Sequence, residues 1–198
     1  MKRIFRILTL ASLVLMLACD TRRESDSDTN DNEDSKEVAE EANDEKFDDK
    51  SMENDADFVA NTVAANYGEI KFAGLATQRS ANPEVKKAAA MMVEDHTKAL
   101  NELKTLAQSK SITVPVEEDD EARRKTERFS DEAGKDFDKK WCNEMIDRHD
   151  ESIRKFENRM EKTEDAELKA WISKTLPVLR NHRDHLKMVH DKIKDTNT

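Results

Sequence analysis

Four stretches of the chain place apolar residues every three or four positions, the period of a helix with one buried face. The first predicts a helix from Asp55 to Arg79 on the stripe Phe58, Thr62, Ala65, Glu69, Phe72 and Ala76. Asn82-Pro83 ends that helix and starts the next, because Asn suits an N-cap and Pro the first helical position. The second helix runs to Lys110 on Val85, Ala89, Met92, His96, Ala99, Leu103 and Leu106. The third, Asp136 to Glu161, uses Phe137, Trp141, Met145, His149, Ile153, Phe156 and Met160. The fourth, Asp165 to Lys194, uses Leu168, Ile172, Thr175, Leu179, His182, Leu186, Val189 and Ile193. Pro177 lies inside it and is expected to kink it just before His182. Residues 117–133 predict a short surface helix, and Gly134 marks a turn. Two short connections make two antiparallel hairpins, joined by the longer segment 111–135. The expected fold is all-α, an up-down-up-down four-helix bundle over residues 55–198.

Each stripe is interrupted near its middle by one ionisable residue: Glu69, His96, His149 or His182. Burying such a group costs several kcal/mol (~2–7 for an unpaired polar group) unless it is paired. Glu69 and His96 lie equally far from the first turn, and His149 and His182 equally far from the second. Equal rise per residue puts each pair level across its hairpin. With both turns placed at one end of the bundle, the two pairs fall close in height. One carboxylate and three imidazoles in one layer suit a transition-metal ion such as Zn, Fe, Cu or Ni. Asp95, Asp147 and His185 are candidates to support or extend that set. His185 and His190 are expected to face solvent. The same residues also fit a metal-free Glu–His network that sets the register of the bundle. No paired Glu-x-x-His motif is present, so the di-iron carboxylate signature is absent. No nucleophile elbow, Gly-rich phosphate loop or basic nucleic-acid stripe occurs either.

The first 57 residues change the picture. Lys2, Arg3 and Arg6 precede an apolar run, Ile7–Leu17, too short to span a bilayer. It ends Met16-Leu17-Ala18-Cys19, which resembles a bacterial lipobox. Residues 1–19 therefore read as a lipoprotein signal peptide, with Cys19 acylated. Two or more acyl chains on one residue anchor stably, at ~0.8 kcal/mol per buried CH₂. Residues 20–57 hold seventeen acids and five bases, which carries the acidity of a chain of net charge −10. Residues 20–54 read as a disordered acidic tether with a reach of ~30–35 Å. Cys142 is then the remaining cysteine, which excludes an internal disulfide, and it reads as a packing residue.

Three segments carry a family resemblance: Met92-Val93-Glu94-Asp95-His96-Thr97, Met145-Ile146-Asp147-Arg148-His149, and Lys174-Thr175-Leu176-Pro177 continuing through Val178-Leu179-Arg180-Asn181-His182. With Phe58…Glu69 and Lys110…Pro115, they resemble the domain of unknown function 4142 across residues 55–193. The resemblance implies a ferritin-like bundle and an exported protein of the outer membrane, but no settled activity. The sequence thus leads to an envelope-anchored helical-bundle lipoprotein with a non-enzymatic binding or stress-related role, held to the membrane by its lipid. The alternative is a metal- or cofactor-binding bundle that uses the buried Glu/His layer.

Overall fold

A computed structural model describes residues 34–132 and 134–195, and all its regular structure is helical. The lipobox, Cys19 and the first part of the acidic segment lie outside the described residues. Six helices follow in order: α1 Ser35–Asp44, α2 Lys50–Arg79, α3 Pro83–Ser109, α4 Asp120–Ser130, α5 Gly134–Lys162 and α6 Ala166–Asp195. Local chemistry sets their starts. Asp34, Asp49, Asn82 and Asp119 each accept from a backbone N–H of the first turn, as does Asp165 from Leu168. Gly134 takes φ +68 where α5 begins, a conformation that would strain a side chain. α6 runs through Pro177 as one helix.

α2 pairs with α3 and α5 with α6, the two hairpins expected, and together they form the four-helix bundle. Their relative direction differs from expectation. Arg159 and Thr163, at the end of α5, bond Asp55 near the start of α2, at 2.6 and 2.8 Å. Trp141, early in α5, donates its indole N–H to the carbonyl of Phe72, late in α2, at 3.0 Å. α2 and α5 are therefore antiparallel. Lys110 after α3 reaches Asp165 and Glu167 at the start of α6, so those two helices are antiparallel as well. The turns lie at opposite ends, and the connection through α4 runs the length of the bundle. It lies so close to α2 that a Cβ on Gly68 would stand 2.9 Å from that of Ala122. Farther along, Phe129 packs edge-on against Phe72, and Arg79 bonds the carbonyl of Ser130.

Residues 35–54, expected as part of the disordered tether, belong to the folded unit. Ala39 and Asn43 are fully buried on α1, and Phe47 packs on the core. The Asn43 side chain donates to the carbonyl of Thr113 at 2.9 Å and accepts from its N–H at 2.8 Å. A buried amide that satisfies two backbone groups replaces the apolar anchor that the acidic composition lacks. α2 also starts earlier than expected, capped by Asp49.

The core has two parts. One gathers Val59, Val63, Leu103, Ile153, Phe156, Leu168 and Ile172, and the other Phe72, Val85, Met92, Phe137, Trp141, Met145 and Leu186. Along every long helix the polar interruption falls between them.

Candidate metal centre

Glu69, His96, His149 and His182 meet in that interval. Exposure is 5% for Glu69, 4% for His96 and zero for His149 and His182. The three imidazole centroids are 5.3–5.4 Å apart. One ring nitrogen from each lies within 4.8 Å of the others. The layer forms although the turns are at opposite ends. His96, His149 and His182 lie 13–16 residues from either end of their helices, and Glu69 lies 10 residues before the end of the longer α2.

The hydrogen bonds fix where the protons are. His149 Nδ1 is 2.8 Å from the carbonyl of Met145, which can only accept, so this nitrogen carries the proton. His182 Nε2 lies 2.8 Å from a carboxylate oxygen of Asp95 and donates to it. His96 Nδ1 is 3.0 Å from Oδ1 of Asn66, whose amide is oriented by its own donation to the carbonyl of Thr62 at 2.8 Å. Each outer nitrogen is thus an N–H, and in the neutral ring the inner one keeps its lone pair. Burial favours the neutral form of His149 and His182. It pushes His149 down to about 4 against the pull of Glu69, and it lowers His182 against the pull of Asp95.

The inner atoms are left facing one another. His149 Nε2 and His182 Nδ1 are 3.3 Å apart. His96 Nε2 is 2.9 Å from Glu69 Oε2, but the two are not aligned for a hydrogen bond, and neither has another partner. Burial alone would raise the Glu69 carboxyl, but positive charge at His96 and His149, present when those rings are protonated, and at Arg148 outweighs it and brings the group down to about 2. With the rings neutral, three nitrogen lone pairs and the Glu69 carboxyl face one another. This donor set fits a cation. Nitrogens bound at ~2.0–2.1 Å around a tetrahedral ion are ~3.3 Å apart, the spacing of the His149–His182 pair. Asn66, Asp95 and the Met145 carbonyl would orient the rings from behind.

The other expected residues sort differently. Asp95 supports the layer, though by bonding His182 across the α3–α6 contact rather than its neighbour His96. Asp147 is exposed, and its side chain points away from the layer. His185 is half-buried and makes no bond to the layer. His190, expected in solvent, is 7% exposed, so the end of α6 packs more closely than its charges suggest. Asn66 was missed, although it sits one turn before Glu69. Arg148 was missed too; it lies over the Phe72 ring at 4.5 Å and bonds Glu144 at 2.8 Å. Cys142 is buried, and that burial pushes its thiol up to about 12, so it is inert packing. A cavity of about 300 Å³ between α2, α5 and the connection has Glu69 and His96 in its wall.

Residues 36–189 match the domain of unknown function DUF4142, and the chain belongs to that family. No curated protein sequence matches it. Two solved structures are similar in fold: CopM in a silver-bound form (22% identity, TM-score 0.58) and in a copper(II)-bound form (19% identity, TM-score 0.59). Each comparison covers 70% of this chain and 95% or 96% of that chain.

Proposed function

We propose that this protein is an envelope lipoprotein whose bundle binds a transition-metal ion through Glu69, His96, His149 and His182. The observation that carries this reading is the set of inward lone pairs, each fixed by an N–H turned outward. A metal-free network would place a donor opposite each acceptor, whereas here His149 Nε2 and His182 Nδ1 face each other at 3.3 Å, each with its N–H turned outward. A nitrogen-rich set with one carboxylate and no sulfur suits divalent copper, zinc, nickel or iron. Copper(II) binds such sets most tightly in the first-row order, and one of the similar folds is a copper(II)-bound protein.

The test is the full chain without a polyhistidine tag, incubated with copper(II), desalted and measured by elemental analysis. The expected result is a single ion per chain, lost in His149→Ala and in His96→Ala. No retained metal would reject the reading and leave the layer as a packing device. The lipobox supports anchoring through Cys19 at the outer membrane. Cys19→Ser should release the protein from membranes, and a variant that stays bound would reject the anchor.

A further inference from the structure

The layer is almost sealed, and its flanks differ in what they would show an arriving ion. On the α3–α6 side stands Asp95, but the His182 nitrogen behind it is an N–H committed to that carboxylate. A cation approaching there meets a proton rather than a lone pair. On the α2–α5 side the cavity of about 300 Å³ reaches the layer itself, and its innermost members are the buried Glu69 and His96. Those residues carry the two unpartnered inner atoms. The outer wall is mixed in charge, with Asp119, Glu121 and Glu151 beside Lys36, Lys125 and Lys155. The wall also includes two small residues, Ala65 on α2 and Ser152 on α5.

We propose that this cavity is the path by which a hydrated divalent cation reaches the buried imidazoles. Glu69, on the floor of the cavity, is the first inner ligand to replace its water. Gly68 is part of the device. The connection presses on α2 at this residue and is thereby held along the cavity at the height of Glu69. The inference rests on the proposed metal binding and adds a direction to it.

The test is the rate of copper(II) uptake by the metal-free full chain, followed by stopped-flow quenching of tryptophan fluorescence. The rate of removal by excess EDTA is measured beside it. Ala65→Phe and Ser152→Phe plug the cavity from opposite walls, and both positions lie outside the packed core. Circular dichroism checks that each variant folds. The expected result is uptake and removal slowed by about tenfold or more, because the ion must then await a local opening of the bundle. Bound copper at equilibrium should be unchanged. Two folded variants that load as fast as the parent chain would overturn the path while leaving the site intact. A parent chain that retains no copper would overturn both, and elemental analysis tells the two failures apart.

Discussion

Among the described residues, two places bring three ligand-type groups within 4.8 Å, and they behave in opposite ways. One is the buried trio His96, His149 and His182. The other is the acid trio Asp44, Glu53 and Asp57, where α1 meets α2, exposed to half-buried. Among the acids, burial and the charges of Asp44, Glu40 and Glu53 raise the Asp57 carboxyl, while Lys50 pairs with Glu53. Solvent exposure and the paired Lys50 relieve the repulsion, and no hydrogen bond orients these carboxylates from behind as the imidazoles are oriented. Among the imidazoles a bonded N–H behind each ring does so. Proximity is common to both, and orientation from behind separates them.

The largest expected effect tests that separation directly. Copper(II) at a hundredfold excess over its dissociation constant should stabilise the parent chain by ~2.7 kcal/mol, or about 5–10 °C in melting temperature. His149→Leu should lose the whole increment. Without metal the same variant should match or exceed the parent by up to ~1 kcal/mol, since it relieves two facing lone pairs. Loss of apo stability by more than that would favour a packing network instead.

The pH dependence comes next. His149 is lowered to about 4 when folded, so the unfolded chain binds the extra proton between that value and the ordinary 6.5. Stability is then fully present above the ordinary value and falls as pH drops through this window. The loss is on the order of 3 kcal/mol by pH 4. Denaturant titrations of the metal-free protein should show the fall, and His149→Leu should flatten it. Asp57 has the opposite sign. Its raised carboxyl contributes stability at low pH that is lost as pH rises through its folded value.

A smaller effect is expected behind the layer. Asp95→Asn keeps the shape but weakens the acceptor for His182, and copper(II) affinity measured by chelator competition should fall by about 10–100-fold. The smallest is at the acids. Asp57→Asn should raise stability by no more than ~0.5 kcal/mol at low salt, vanish in 1 M salt, and leave bound copper unchanged.

These outcomes rest on features of unequal visibility in the sequence. The four stripes and the level pairing across each hairpin follow from helical period alone, and so the layer was legible. The direction of the second hairpin was not. A connection of some two dozen residues can double back or run the length of the bundle, and the contact of Gly68 with Ala122 that belongs to the second course has no periodic signature. The layer tolerated that error because its members sit at mid-helix. The order at α1 was hidden because composition registers its acids and overlooks one buried amide at Asn43. Asp95 was found beside His96 yet serves His182, a partner on another helix that spacing cannot identify.

Every neighbouring pair of long helices in this bundle is antiparallel, and that arrangement governs the electrical setting of the layer. The peptide dipoles of adjacent helices oppose one another, and their end charges matter within the first or last turn. At mid-height the layer is ~15–20 Å from any terminus, so the backbone contributes almost no net field there. Nearby Arg148 is offset by Glu144. What remains is the carboxylate of Glu69 inside and that of Asp95 at the edge, which together neutralise a divalent cation. A monovalent ion would leave one negative charge buried and a trivalent ion one positive charge. The topology thus hands selection by ionic charge to two side chains.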